Sequence, residues 1–211
     1  LVTEWGAIGY WEMETTDWGV PFEATSSEKA DVFLRAYREV LQPLEGQLLG
    51  SYVFFWGQKQ ERTPTWFGML TEDGKETEVV DVMHYVWTGQ WPDNRAPRVE
   101  RLLLDGKGDR TSVVLSAGQQ YEAVFDVIDP EGGPLVYRWE LKAESAATSG
   151  GGDYEEPIAS LEGYLAGPAA ARTLLTAPPP GKYRLFAFVE DDQQHVAHAN
   201  LPFLVVDDVE H

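Results

Sequence analysis

The order in which hydrophobic periodicities appear along this chain restricts its architecture more than any other feature. Up to residue 91, apolar residues recur at helical spacing or in one long unbroken run. From residue 98 they fall into short β-branched runs divided by Gly and Pro. In the first part, Thr25-Ser26-Ser27-Glu28 supplies N-cap hydroxyls followed by an acid, a helix start. Ala30, Phe33, Leu34, Tyr37, Val40 and Leu41 then form one apolar stripe over about four turns, stopped by Pro43 and Gly46. Residues 48–56 are continuously apolar apart from Gly50 and Ser51, as in a strand of a parallel sheet buried on both faces. A second helix begins near Thr77 with Val79, Val80, Met83, Val86 and Trp87 on its buried stripe. With a short apolar strand ending at Glu4, the order is strand, helix, strand, helix, which implies parallel strands joined by helical crossovers.

The second part reads as strands throughout: 99–104, 112–115, 121–128, 135–141, 159–165, 172–175, 183–189 and 196–206. Alternation is clear in Tyr121-Glu122-Ala123-Val124-Phe125-Asp126-Val127. About seven or eight strands with turns every 8–12 residues fit an immunoglobulin-like β-sandwich. The boundaries are therefore 1–91 for the α/β part, 92–97 for a linker carrying Pro92 and Pro97, and 98–207 for the sandwich. The Ala-, Ser- and Gly-rich stretch 143–152 reads as a mobile loop.

The chain has 211 residues and a formal charge of −19, which excludes nucleic acid and anionic membrane surfaces as partners but leaves neutral glycans. It has no cysteine, so disulfides and thiolate metal sites are excluded. No apolar run reaches the roughly 18–20 residues of a membrane span. His84, His195, His198 and His211 form no ligand set, and Asp126, Asp129, Asp191 and Asp192 read as turn formers before a calcium site. No cofactor or metal is expected.

Seven of the eight tryptophans precede residue 92. A carboxylate ending a strand among indoles suits sugar chemistry: Trp faces stack on pyranose C–H surfaces, and a carboxylate attacks or stabilises an anomeric carbon. Glu4, followed by Trp5 and Gly6, is the candidate, and Trp5 is a further expected sugar contact unless it points inward. Trp56 at a strand end and Trp66 in a loop are the expected sugar platforms, whereas Trp87 is expected in the core. In residues 58–68, Gln58, Lys59 and Arg62 are suited to hydrogen-bond vicinal hydroxyls.

These pieces carry a family likeness. Val2-Thr3-Glu4-Trp5-Gly6 and Phe54-Phe55-Trp56-Gly57 make residues 1–91 resemble the end of a (β/α)8 retaining glycoside hydrolase. The resemblance implies the last two βα units of a barrel, with Glu4 as nucleophile ending the seventh strand and Trp56 flooring the sugar subsite. The family's acid/base glutamate would lie ahead of residue 1. Double displacement needs two carboxyls roughly 5–5.5 Å apart, so the chain alone is expected not to turn over a glycan. Asp129-Pro130-Glu131-Gly132-Gly133-Pro134-Leu135-Val136-Tyr137-Arg138-Trp139 resembles the PKD/cadherin-like modules appended to bacterial glycosidases, and implies a spacer or sugar-binding role. The expected partners are a carbohydrate and either the missing barrel portion or a second copy covering an exposed sheet edge. The expected location is extracellular or periplasmic.

Overall fold

The computed structural model describes residues 1–108, 110–148, 150–167 and 170–208. Helix α1 spans Ser26–Ala36. The Thr25 hydroxyl accepts from the Glu28 amide at 3.1 Å, and the Glu28 carboxylate accepts from the Thr25 amide at 2.8 Å, so two otherwise unpaired donors of the first turn are satisfied. The helix continues as a π-turn over Tyr37–Leu41 and a 3-10 turn over Gln42–Leu44 that carries Pro43. Strands β1 (Gln58–Glu61) and β2 (Thr63–Gly68) form an antiparallel hairpin. Helix α2 (Glu78–Thr88) stops at Gly89, whose φ of 75° is the left-handed conformation that closes helices cheaply only in glycine.

The two segments expected as parallel strands do run parallel, but their ladder is short. Val2 bridges Ser51, the Val2 amide donates to Gly50, and Tyr52 and Phe54 donate to Val2 and Trp5. The long strand expected over 48–56 does not form, and residues 58–68, expected as a loop, are the hairpin. No barrel wall surrounds the ladder among the described residues. Helices α1 and α2 cover one side of it, burying Ala30, Phe33, Met69, Val79, Val82 and Met83 with Trp5 and Val53 against them. The expected stripe of α2 is rotated: Val82 is buried in place of Trp87, which is 64% exposed.

Eight strands follow: β3 (Arg98–Leu104), β4 (Val113–Ser116), β5 (Gln120–Ile128), β6 (Val136–Ala143), β7 (Leu165–Ala166), β8 (Arg172–Thr176), β9 (Gly181–Glu190) and β10 (Val196–Val206). They form two four-stranded sheets, ordered β3-β5-β8-β7 and β4-β10-β9-β6. All pairs are antiparallel except β4 with β10. Two four-stranded sheets of mostly antiparallel strands, with the first two sandwich strands β3 and β4 in different sheets, make an immunoglobulin-like arrangement. Each expected strand is present, although the one expected over 159–165 shrinks to two residues and an isolated bridge at Ser160. Phe125, Trp139, Leu141, Leu185 and Phe203 fill the space between the sheets, and the Trp139 indole donates to the Ala170 carbonyl at 2.8 Å.

From Arg184 to Val189, β9 is buried at every position. Alternation supplies one face to the sandwich core. The other face, with Phe186, Phe188 and Val196, lies beneath the first part of the chain. The Val196 amide donates to Glu76, the His198 amide to Ser26 Oγ and the Val99 amide to Ser27 Oγ. The 92–97 segment is pinned as well: the Ala96 amide donates to Asp81 at 2.8 Å, and Arg98 pairs with Glu78 and Asp31.

Burial raises the Asp81 carboxyl to about 6, against the opposing Ala96 hydrogen bond and the charges of His195 and Arg95. Ionised at neutral pH, Asp81 costs stability. Asp81→Asn, which keeps an acceptor for Ala96, is expected to stabilise the fold by about 1–3 kcal/mol at pH 8. Urea denaturation of the two proteins at that pH measures the difference.

Candidate functional site

The expected site residues do not converge on one cleft. Glu4 is exposed, while its neighbour Trp5 packs into the helix-covered core, 5.9 Å from the Phe33 ring. Trp66 is only 4% exposed, and its indole N–H donates to the Ile8 carbonyl at 3.1 Å. Its ring also meets Tyr10 edge-on at 5.9 Å, so Trp66 offers no open face to a sugar. Three polar candidates on the hairpin make contacts within this chain. Gln58 donates to the Pro64 carbonyl at 2.9 Å, Lys59 pairs with Glu61 at 2.6 Å, and the Arg62 guanidinium lies 4.4 Å over the Tyr10 ring. Arg62 turns the hairpin with φ of 62°, a conformation uncommon outside Gly and Asn. Its amide donates to Glu155 at 2.7 Å, tying the hairpin tip to the connection after β6.

Trp56, expected at a strand end, lies instead in the turn ahead of β1 and stays open to solvent. It is 52% exposed and lies 5.7 Å from Trp87, at an interplanar angle of 40°. Periodicity put Trp87 in the core, and only the rotation of α2 pairs it with Trp56. Trp11 is a further open indole, 64% exposed and edge-on to Tyr10.

The densest polar cluster lies elsewhere and centres on Glu23, whose side chain is fully buried. One oxygen accepts from Lys29 at 2.5 Å; the other accepts from Thr63 and Asn200, both at 2.6 Å. Lys29 also donates to the Thr65 carbonyl. Asn200 accepts from Arg184 at 2.6 Å, and Arg184 reaches both the Glu144 carboxylate and the Pro21 carbonyl. One carboxylate thus joins α1, β2 and β10. Burial pushes Glu23 up, but the positive charges beside it, Lys29 foremost, outweigh burial and hold the carboxyl down to about 2. His198 is buried against Phe188, and burial together with Lys29 lowers it to about 3. A group kept charged in this way and tied by three elements is built for attachment rather than for proton transfer. No local motif announces it, since Asn200 lies 177 residues from Glu23. The near-continuous apolar runs of β9 and β10 were the available signal that this sheet is covered on both faces.

The acidic turns take up their carboxylates internally. Asp129 accepts from the amides of Glu131 and Gly133, Asp191 from those of Gln193 and His195, and Asp126 pairs with Arg101. Among the described residues, no three His, Asp or Glu side chains are placed to hold a metal. His211 lies outside the described residues.

No family model matches this chain, and no curated protein does. Solved structures are similar in part, two of them being the following. One is the PKD1 domain of Vibrio anguillarum Epp, 18% identical, with 54% of this chain and 96% of that one covered at a TM-score of 0.32. The other is the PmoD soluble domain from Methylocystis sp. ATCC 49242 (Rockwell), 12% identical, with 56% and 95% covered at 0.30. The sandwich assignment rests on strand order and register rather than on these likenesses. No helix among the described residues is long and apolar enough to cross a membrane.

Proposed function

We propose that this chain is a non-catalytic spacer and carbohydrate-binding part of an extracellular or periplasmic carbohydrate-active protein. The sandwich acts as a rigid brace, and the Trp56–Trp87 pair is the glycan contact. The observation that carries this reading is the buried Glu23 network, which fixes the aromatic-bearing first part on the sandwich instead of leaving it on a free tether. An indole held on a rigid element binds sugar without first losing conformational freedom. Affinity electrophoresis and calorimetry against a β-glucan panel test it. Binding is expected, and Trp56→Ala is expected to weaken it at least tenfold, about 1.4 kcal/mol, with the melting temperature unchanged. Trp66→Ala serves as a folding control, since that ring is buried. Failure to bind any glycan leaves a pure spacer.

A second reading, that residues 1–91 close a retaining glycosidase barrel with Glu4 as nucleophile, is favoured by the parallel Val2–Ser51 pairing beside the exposed Glu4. It requires a longer chain to supply the acid/base glutamate. Such a chain would hydrolyse a glycan and lose that activity on Glu4→Gln.

A further inference from the structure

A cavity of about 350 Å³ opens between the first part and the sandwich, lined by Tyr10, Thr15 and Arg62 on one side and by Glu144, Ser145 and Lys182 on the other. That volume lies within the ~300–1,000 Å³ range of small-molecule sites. A smaller cavity shares Arg62, Glu144 and Ser145 with it and adds Lys142 and Arg184. Acidic residues outnumber basic ones 35 to 16 in the whole chain, yet four basic residues line these two cavities against one acid.

That acid is already engaged. Arg184 donates to both Glu144 oxygens, at 2.9 and 3.2 Å, and the Ser145 amide donates to one of them at 3.2 Å. Lys142 pairs at 3.2 Å with Glu140, which lines neither cavity. Lys182 meets no carboxylate among the described residues, and its ammonium donates to the Trp18 carbonyl at 3.1 Å. The Arg62 guanidinium is held in place 4.4 Å over the Tyr10 ring. The larger cavity therefore presents two positioned cations beside a carboxylate whose charge Arg184 has answered.

We propose that this cavity binds a sugar acid, a hexuronate whose carboxylate is held by Arg62 and Lys182 and whose hydroxyls reach Thr15 and Ser145. Charge-assisted hydrogen bonds to a carboxylate are about twice as strong as neutral ones. Hydroxyl side chains both donate and accept, so they favour an acid that carries hydroxyls of its own over a bare anion. Val20, Pro21 and Ala147 complete the wall with apolar surface, where an ion pair is screened less than in open water. The choice of a sugar among hydroxy acids rests on the carbohydrate reading above, but the cavity shares no residue with the Trp56–Trp87 pair.

Calorimetry with sodium glucuronate at low ionic strength, with glucose and inorganic sulfate as comparators, tests this on the full chain. The expected result is a glucuronate dissociation constant of about 1 mM or below, with glucose and sulfate each at least tenfold weaker. Lys182→Gln and Arg62→Asn are each expected to weaken glucuronate at least fivefold with the melting temperature unchanged; asparagine suits the left-handed φ of 62° at that position. Absence of saturable glucuronate binding overturns the proposal, as does binding that neither substitution weakens. Glucose binding as tightly would show that the cations are not used, and sulfate binding as tightly would reduce the cavity to a bare anion site; either result overturns it too. Trp56→Ala is expected to leave glucuronate binding unchanged. Loss of glucuronate in that variant would place the acid on the indole pair, sinking this inference while the glycan reading stands.

Discussion

Replacing Glu23 with alanine is expected to cost about 3–5 kcal/mol, the penalty for breaking a buried ion pair by removing one partner. Lys29 would keep its charge in the interior with only the Thr65 carbonyl beside it, and Thr63 and Asn200 would lose their acceptor. For a chain of this length, that lowers the melting temperature by roughly 10 °C. Glu23→Gln keeps an acceptor for Thr63 and loses less. Hydrogen exchange gives the sharper readout: the amides of α1 and of 196–200 should lose protection together, because one carboxylate links both elements. A change of melting temperature below about 2 °C, or loss of protection confined to α1, would refute the rigid brace and with it the observation on which the proposed function rests.

Acid is expected to unfold the protein steeply below pH 4, after a shallow stretch between pH 6 and 4. His198 is held neutral in the fold, with its pKa lowered to about 3 from an ordinary 6.5. As pH falls through 6.5 the unfolded chain binds a proton that the fold refuses, so stability drops by about 1.4 kcal/mol per pH unit. Asp81 opposes this. Its raised pKa of about 6 makes the fold the better proton acceptor between pH 6 and 3.8, which cancels most of the His198 slope there. Glu23 contributes stability that is complete above about pH 4.5 and lost toward pH 2. Between about pH 4 and 3, Glu23 and His198 act in the same direction and the slope approaches about 3 kcal/mol per unit. Urea titrations at pH 7, 5 and 3.5 measure the curve. Asp81→Asn should expose the His198 slope between pH 6 and 4, and adding His198→Gln should flatten it again. A curve for Asp81→Asn as shallow as the parent's would show that His198 does not titrate as described.

The sandwich was readable almost strand for strand because its signal is local. Each strand alternates, each turn carries Gly, Pro or Asp, and β3 through β10 fall within a residue or two of their expected bounds except near β7. The helices were readable for the same reason, down to the Thr25–Glu28 capping pair. The face of α2 was not. A helix with apolar residues on several sides does not declare which of them its neighbours will cover, and Trp87 turned outward to meet Trp56. The candidate sugar residues fared unevenly on the same ground. Residue type marks an indole as capable of stacking, but exposure separates Trp56 at 52% from Trp66 at 4%.

Local spacing alone determined the strand-only second part, the two helices and the parallel direction of the first segments, since each depends on periodicity within a dozen residues. Tertiary structure alone decided that the first part is clamped to the sandwich, that Trp56 rather than Trp66 faces solvent, and that Glu23 rather than Glu4 is held in a buried network. Those outcomes depend on pairs such as Glu23 with Asn200, whose separation along the chain leaves no periodic trace and whose energy appears only once burial has removed the water between them.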